Sequence, residues 1–429
     1  MSKSETITCD LTVIGAGMAG MAATLFAVNR GVKTIQAGRS GEIVFASGLL
    51  DLLGIHPIST SQKWDNPWAG INALVHDVPN HPYARIKKKE IEDAFTELLT
   101  FLKNAGHPYS RYADRNVEIP TALGTVKTTY CVPDTMWGAV EALAEKPDCL
   151  IVSFNGLKGF SARMIAGILH DRWPDLRAVR IPFPGTERLS EVYPEFMANA
   201  LVTSENRQKL AEALRPHIKD AQVIGMPAIL GLYRSQKVIA DLEELLDVSI
   251  FEIPTMPPAV TGMRLKEAFD QGLRNKRENY FPQQRVLKAR QKANGDFEIV
   301  IGNAMMEQTV ISKGVILATG RFIGGGLQAD RKRIRETIFD LPVCQPEKRT
   351  QWHRENLLDK QGHPINMAGL ETDDEFRPTN RDGVPVYDLL FAAGSILAHQ
   401  DWKRMKCGSG LAVATAYTAV RAFTHRCGL

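Results

Sequence analysis

The sequence has few cysteines, and their spacing matches no common metal cluster. Six cysteines stand at positions 9, 131, 149, 344, 407 and 427. No two of them form a C-x-x-C pair, and no four have the spacing of an iron–sulfur cluster or a structural zinc site. The sequence therefore predicts no bound metal and six reduced thiols.

The chain also lacks a strong charge excess and a visible export signal. It has 52 basic and 48 acidic residues among 429, and the resulting net charge of +4 is too small to indicate nucleic-acid binding. Residues 1–10 show no basic region followed by an apolar run, as a signal peptide would. These absences favour a cytoplasmic protein. The chain length favours two domains, or one domain with a large insertion.

An uncharged run covers residues 11–28 and raises the question of a membrane span. A spanning helix needs about 20 mostly apolar residues, and three internal glycines would destabilise it. The run begins like a buried strand and continues like a helix. At the junction, the pattern Gly15-x-Gly17-x-x-Gly20 is the dinucleotide-binding fingerprint, in which a phosphate meets the helix N-terminus. This context favours a nucleotide-binding fold over a membrane span.

The second predicted strand lacks the acidic residue that usually binds the adenosine ribose. That residue lies about 20 positions after the first glycine, but no Asp or Glu occurs between Met21 and Gly41. Gln36 is a possible ribose contact. Arg39 is a possible phosphate contact or simply an exposed loop arginine. Because FMN has no adenosine, the pattern favours FMN and leaves FAD open.

Two later junctions favour a flavin over a nicotinamide nucleotide. One strand-like run enters Thr319–Gly320, and another enters Gly394–Ser395. A helix follows whose first turn contains Gly408 and Gly410. Free amide donors at a helix N-terminus suit the electron-rich pyrimidine edge of a reduced flavin. Any doubly wound sheet has glycines at such turns, but three junctions in order favour the flavin.

Six short stretches, in one order along the chain, carry a resemblance to a known family. They are FASGLLDLLG (45–54), TALGTVKTTY (121–130), GMPAILGL (225–232), IPTMPPAVTGMRL (253–265), LATGRFIGGGL (317–327), and FAAGSILA with KCGSG (391–410). Together they resemble the B-subunit family of anaerobic glycerol-3-phosphate dehydrogenase over nearly the whole chain. The sequence departs from that family at residues 399–406, where HQDWKRMK replaces a glycine-rich stretch.

The resemblance implies that the chain is a flavoprotein with FMN as its cofactor and that it works within a complex. It also implies two partners, the larger FAD-containing A subunit and the iron–sulfur, membrane-associated C subunit. Such a complex oxidises sn-glycerol 3-phosphate to dihydroxyacetone phosphate and sends electrons toward quinone, so the chain would be peripheral to the inner membrane through a partner. Two other interpretations stay open. One is a self-sufficient FAD-dependent oxidoreductase of the fumarate-reductase-like type, and the other is a non-redox scaffold that retains the fold.

The combined patterns predict an α/β fold, Rossmann-like and of the FAD/NAD(P)-binding flavoprotein type, with an inserted α+β cap. Residues 1–80 and 262–429 are predicted to form the nucleotide-binding domain, and residues 81–261 the cap. Asn294-Gly295 predicts a hairpin turn. Gly106 predicts the end of a cap helix.

The predicted cofactor contacts lie at the glycine junctions and in the family stretches. They are Gly15, Gly17, Gly20, Gln36, Arg39, Ser47, Gly48, Thr319, Gly320, Gly394, Ser395, Gly408 and Gly410.

Oxidation of an alcohol phosphate by a flavin also needs a base near the carbinol and cations for the phosphate. The candidates are Arg264, His399 and Arg377, with His81, His107 and Arg321 as further possibilities. A satisfied structural role is the alternative for each lone histidine. None of these residues needs to be catalytic if the FAD-containing partner performs the alcohol chemistry. Cys407 is either a redox thiol or a buried inert one, and the basic loop 399–406 is the predicted partner-docking surface.

Overall fold

The computed structural model describes residues 6–39, 43–274, 276–303 and 306–429. The chain divides by its contacts into two compact units. The first unit comprises Met1–Glu42, Asp51–Leu99 and Gly272–Leu429, and the second comprises Ile43–Leu50 and Thr100–Gln271. Residues 81–99 thus group with the first unit, and residues 43–50 and 262–271 group with the second, whereas the sequence-based boundaries assign them the other way.

Helices and strands alternate along most of the chain. The α-helices of the described ranges are α1 Met18–Asn29, α2 Pro67–Asp77, α3 Lys88–Asn104, α4 Asp134–Glu145, α5 Ala162–Leu169, α6 Pro194–Ala200, α7 Ser204–Ile218, α8 Ser235–Leu246, α9 Val260–Gly272, α10 Trp402–Met405 and α11 Gly408–Cys427. The strands there are β1 Ile7–Ile14, β2 Thr34–Gly38, β3 Tyr109–Ser110, β4 Val117–Pro120, β5 Val126–Thr129, β6 Val132–Pro133, β7 Cys149–Phe154, β8 Leu176–Ile181, β9 Val223–Pro227, β10 Ser249–Ile253, β11 Asn279–Pro282, β12 Arg285–Gln291, β13 Phe297–Gly302, β14 Glu307–Leu317, β15 Leu327–Ala329, β16 Ile334–Glu336 and β17 Leu390–Ala392.

The first unit is built on a seven-stranded sheet in the order β11-β2-β1-β14-β13-β12, with β17 also paired to β14. Strands β11, β2, β1, β14 and β17 pair in parallel, whereas β12, β13 and the first half of β14 form an antiparallel meander. The carboxyl ends of β1, β2, β14 and β17 therefore meet at one edge. In open parallel sheets, ligands bind at this edge.

Helix α1 has no polar face, and it is enclosed within the first unit. Every residue from Ala19 to Ala27 is buried, as expected for a helix without a polar face. It packs against α11, where the rings of Phe26 and Tyr417 meet edge to face with centroids 5.1 Å apart. At its C-terminal end Arg30 pairs with Glu97 at 3.1 Å. This packing holds the N-terminus of α1 at the carboxyl edge of the sheet.

The second unit has its own parallel sheet, in the order β10-β9-β7-β8. Strand β7 is buried at all six positions, as expected for a central strand covered by helices. Its core is a separate hydrophobic cluster that includes Trp173, Phe154 and Phe251. Two short antiparallel pairs, β3-β6 and β4-β5, complete the unit.

Several local predictions from the sequence are confirmed. The strand and helix on either side of the first glycine turn are β1 and α1. The predicted hairpin at Asn294-Gly295 joins the antiparallel strands β12 and β13, and Gly295 adopts a positive φ of 92°. Helix α3 ends at Asn104, and Gly106 follows with φ 83°. Within the described ranges, no helix combines the length and the apolar character that crossing a bilayer requires.

Candidate flavin site

The three fingerprint glycines at the junction of β1 and α1 differ in whether the packing of the protein requires them. A Cβ atom on Gly15 would lie 2.1 Å from the carbonyl oxygen of Ala318, and one on Gly20 would lie 2.2 Å from the carbonyl oxygen of Gly15. The protein's own packing therefore requires both glycines. A Cβ on Gly17 would meet no atom within 4 Å. Packing does not require that glycine, which leaves open space for a ligand to touch the backbone.

The N-terminus of α1 has the electrostatics of an anion site. Its N-cap is Gly17, which offers no side-chain hydrogen bond to the first turn, and that turn contains no acidic residue. Gly17 and Met18 are partly exposed although the helix behind them is buried. The first N–H groups of a helix lack intrahelical acceptors, and the helix dipole favours negative charge there. The residues present therefore fit the phosphate of a flavin nucleotide.

Gln36 in β2, the predicted ribose contact, has its side chain engaged within the protein. Its Nε2 donates to the carbonyl of Gly15 at 3.0 Å, and its Oε1 accepts from Nη1 of Arg277 at 2.7 Å. The Gln36 side chain thus stabilises the glycine turn through its hydrogen bond to Gly15. Arg277 is far away in the sequence, so spacing gave no signal of this contact. Arg39, just beyond β2, is exposed.

The ends of β14 and β17 add partly exposed residues to the same edge. Thr319 and Gly320 follow β14 and are half-buried. Gly394 follows β17 with φ 77°, and its N–H donates to Oγ1 of Thr415 at 2.9 Å. A Cβ on Gly394 would lie 2.6 Å from the Cβ of Ala19, so this glycine lets the β17 turn approach α1 closely. Ser395, the next residue, is half-buried.

The glycines at the start of α11 are explained largely by packing. A Cβ on Gly408 would lie 2.8 Å from the ring of Trp402. A Cβ on Gly410 would lie 2.6 Å from the hydroxyl oxygen of Tyr83, and the Gly410 N–H already donates to the carbonyl of Asp51 at 2.7 Å. No acidic residue occupies the first turn of α11. This helix end keeps the polarity expected beside a flavin, although the amide of Gly410 serves the fold.

Ser47 and Gly48 lie in the second unit and have local partners there. The carbonyl of Gly48 accepts a hydrogen bond from the hydroxyl of Tyr109 at 2.8 Å. Gly48 has φ 82°, and a Cβ there would lie 2.8 Å from the Cβ of Thr261. The hydroxyl of Ser47 accepts from the N–H of Leu49 at 3.4 Å.

The second unit also contains Arg264, whose guanidinium is paired with a carboxylate. It donates to both carboxylate oxygens of buried Glu252, at 2.6 and 2.8 Å, and to the carbonyl of Gly231 at 2.8 Å. A planar fork matched to a carboxylate makes a strong bidentate pair. Burial and the Arg264 charge lower the pKa of His107 to about 4. These contacts give Arg264 a structural role, and Glu252 is the partner that sequence reasoning missed.

Arg377 is neutralised by acidic neighbours. It lies 2.7 Å from Asp373 and 2.8 Å from Asp388, and Arg426 shares Asp388 at 2.8 Å. The cluster ties the segment around residue 375 to the end of α11. Arg377 therefore has no uncompensated charge to offer a phosphate.

Arg321 is a half-buried cation held by backbone carbonyls. It donates to Asn366, to Leu397 at 2.9 Å and to Gln400 at 2.8 Å. Burial lowers its pKa to about 10. The side chain thereby fixes the loop that follows β17.

His81 and Cys407 are buried, and burial favours the uncharged form of both side chains. The Nδ1 of His81 accepts from the N–H of Tyr83 at 3.2 Å, and burial lowers the pKa of this histidine to about 3. Burial raises the pKa of the Cys407 thiol well above its usual range. A protonated, enclosed thiol is inert. His399 differs, because it is partly exposed, adopts φ 62° and contacts Glu371 at 2.8 Å.

Comparison with known proteins agrees with this geometry. The FAD binding domain family matches residues 10–411. The B subunit of anaerobic glycerol-3-phosphate dehydrogenase from Vibrio vulnificus is 27% identical over 424 residues, which cover 96% of this chain and 95% of the relative. The B subunit of the same enzyme from Vibrio cholerae serotype O1 is 29% identical over 429 residues, with 96% and 95% coverage.

Solved structures of low identity also match along the chain. A 3-ketosteroid delta1-dehydrogenase from Sterolibacterium denitrificans is 10% identical with a TM-score of 0.45, covering 98% of this chain and all (100%) of that one. A quinol fumarate reductase chain of E. coli is 12% identical with a TM-score of 0.42, covering 99% and 71%. The family match extends from β1 into the first turn of α11, the two ends of the site described above. The chain therefore belongs to the FAD binding domain family and is a flavoprotein oxidoreductase.

Proposed function

We propose that this chain is the flavoprotein B subunit of a quinone-linked anaerobic glycerol-3-phosphate dehydrogenase. The complex would oxidise sn-glycerol 3-phosphate to dihydroxyacetone phosphate in glycerol degradation. The observation that carries the proposal is the similarity to two subunits of that name, at 27% and 29% identity, over 96% of this chain and 95% of theirs.

The proposed cofactor is FMN, bound without a covalent link. When bound, a flavin accepts a hydride or electrons at its ring system. The N-terminus of α1 would hold the single phosphate, with Gly17 allowing backbone contact. Support for FMN over FAD comes from Gln36, because both ends of its amide are used by Gly15 and Arg277. The alternative is FAD, which the description of the family favours.

The proposed partners are the FAD-containing A subunit and the iron–sulfur C subunit of such a complex. Quinone-linked electron transfer usually passes through clusters, and such clusters need several cysteine ligands. The six cysteines, all within the described residues, form no disulfide, and four of them are buried. A cluster-bearing partner would therefore carry the electrons onward and bring the protein, otherwise cytoplasmic, to the inner membrane.

The proposed docking surface for that partner is the loop 399–406. Lys403 is exposed, and its ammonium lies 5.3 Å from the centroid of the Trp402 ring. Arg404 instead pairs with Asp401 at 3.0 Å. Lys403 is therefore the exposed cation of this loop that can meet an acidic partner.

Two measurements test the proposal. Mass analysis of the flavin released on denaturation should identify FMN at one per chain, and stoichiometric FAD would overturn that part. Oxidation of glycerol 3-phosphate with a quinone acceptor should be slow for the isolated chain and fast when both proposed partners are co-expressed. If the chain alone reduces a dye or quinone as fast as the complex, it is the self-sufficient oxidoreductase. If it folds with flavin supplied and stays colourless, it is the scaffold.

A further inference from the structure

Three side chains of different ligand types converge in the first unit. They are the thiol of Cys344, the carboxylate of Glu371 and the imidazole of His399. One ligand atom from each lies within 4.8 Å of the other two. The three residues are far apart in the sequence, so cysteine spacing could not reveal the group.

Backbone hydrogen bonds hold the three segments side by side. The N–H groups of Cys344 and Gly369 donate to each other's carbonyls at 2.8 and 3.1 Å. On the other side of this segment, the N–H of Leu370 donates to Ile396 at 2.9 Å, and the N–H of Ala398 donates to Leu370 at 2.9 Å. Cys344 is part of this small ladder, and Glu371 and His399 follow it directly. Their approach is therefore built into the backbone and does not depend on flexible side chains alone.

His399 shows that the arrangement is maintained at a cost. It adopts φ 62°, in the left-handed region that a non-glycine residue seldom occupies. Such a conformation persists only where the surroundings impose it. The His399 N–H donates to the carbonyl of Met367 at 3.0 Å, which fixes this conformation and directs Nε2 to Glu371.

Electrostatics also favours a cation at this point. The Cys344 sulfur and a Glu371 carboxylate oxygen lie within 4.8 Å of each other. A divalent cation between the two groups would compensate the negative charges of the thiolate and the carboxylate. Glu371 is exposed and the other two residues are half-buried, so an ion can reach the group from solvent.

We propose that Cys344, Glu371 and His399 form a three-ligand site for a divalent, borderline-soft cation such as Zn²⁺, with the fourth position open to water or a substrate oxygen. Thiolate, imidazole and carboxylate together are a donor set that Zn²⁺ prefers. At zinc bond lengths, tetrahedral ligand atoms lie roughly 3.3–3.8 Å apart. The observed His399–Glu371 contact of 2.8 Å needs to open slightly, and the thiol already lies within 4.8 Å of both other ligand atoms.

The test uses the flavin-loaded protein after dialysis against a chelator. Titration with Zn²⁺ should show one ion bound per chain, measured by calorimetry and by metal analysis after gel filtration. Co²⁺ should give a thiolate-to-metal charge-transfer absorption in a difference spectrum. Cys344→Ser should remove that absorption, and both Cys344→Ser and His399→Gln should weaken Zn²⁺ binding by at least about 10–100-fold, the loss that even outer-shell changes produce.

Matched controls separate this site from adventitious binding. Cys427→Ser changes another half-buried thiol, and His170→Gln changes an exposed histidine, and both should bind Zn²⁺ like the parent. In the unaltered protein, Zn²⁺ should slow iodoacetamide labelling of Cys344 and leave that of Cys427 unchanged. Equal labelling of Cys344 with and without Zn²⁺, or equal Zn²⁺ affinity in the parent, Cys344→Ser and His399→Gln, would overturn the proposal. None of these readouts depends on the identity of the flavin or on dehydrogenase activity.

Discussion

Replacing Gly17 by valine should remove flavin from the protein without unfolding it. A side chain at Gly17 meets no protein atom within 4 Å, so the fold has room for it. Its φ of −83° and ψ of −172° are extended values that valine adopts easily. We expect the free energy of unfolding of the flavin-free protein to change by no more than about 1 kcal/mol, the usual effect of altering an N-cap.

The loss of flavin should be much larger than this change in stability. The new side chain would fill the space in which a phosphate meets the N–H groups of α1. Hydrogen bonds to a charged group contribute about 1.5–3 kcal/mol each. Losing one of these hydrogen bonds corresponds to a dissociation constant for the flavin that is roughly 10–100-fold larger. The yellow absorbance of the purified protein should fall accordingly, and binding of added flavin, followed by fluorescence quenching, should weaken by at least that factor.

Gly20→Ala is the matched control for a glycine that packing requires. Its Cβ would lie 2.2 Å from the carbonyl oxygen of Gly15, and overpacking of this kind typically costs about 1–3 kcal/mol or more. This variant should lose stability in urea even without flavin, whereas Gly17→Val should not. A folded Gly17→Val protein that keeps its full flavin content would refute the assignment of this turn to the phosphate.

Three further predictions concern other parts of the chain. Glu252→Gln should lower the unfolding free energy by about 3–5 kcal/mol in urea titrations, because it leaves Arg264 buried without its counter-charge; a loss below about 1 kcal/mol would contradict this. Burial lowers the pKa of His81 from 6.5 to about 3. As pH drops from 6.5 toward 3, this histidine binds a proton in the unfolded chain but not in the folded one. The free energy of unfolding therefore falls by about 1.4 kcal/mol per pH unit. His81→Gln should flatten that slope in pH-dependent unfolding, and an unchanged slope would show that His81 does not cause it. Lys403→Glu should slow electron transfer to the partner in stopped-flow measurements while flavin content stays constant, and an unchanged rate would remove the loop 399–406 as the docking surface.

The sequence predicted the parts of the fold that depend on neighbouring residues. The β1 turn, α1, the hairpin at Asn294-Gly295 and the end of α3 each follow from local glycine chemistry and apolar periodicity, and the structure confirms them. The FAD binding domain match agrees with the predicted fold class.

Partners that are distant in the sequence were beyond this kind of reasoning. Arg264 looked like a free cation because nothing in the chain around it identifies Glu252 as its partner. The same holds for Arg277, which occupies one end of the Gln36 amide after a separation of 241 residues. Cys344, Glu371 and His399 share no motif, because their proximity arises from backbone pairing between three separate segments. Local patterns specify elements, whereas charge compensation is settled only when the elements pack.

The short segment Ile43–Leu50 determines how far the second unit can be treated as a transferable module. Although it precedes Asp51–Leu99 of the first unit, it completes the second, where Leu50 bridges Cys131 and the Gly48 carbonyl receives the Tyr109 hydroxyl. A gene fragment for residues 100–271 would therefore encode only part of the unit. Thr261 would lose its packing against Gly48, and Cys131 would lose its backbone bridge to Leu50. Transfer of this unit to another flavoprotein would need two separate insertions, residues 43–50 and residues 100–271. Exchange of one continuous segment would transfer an incomplete unit.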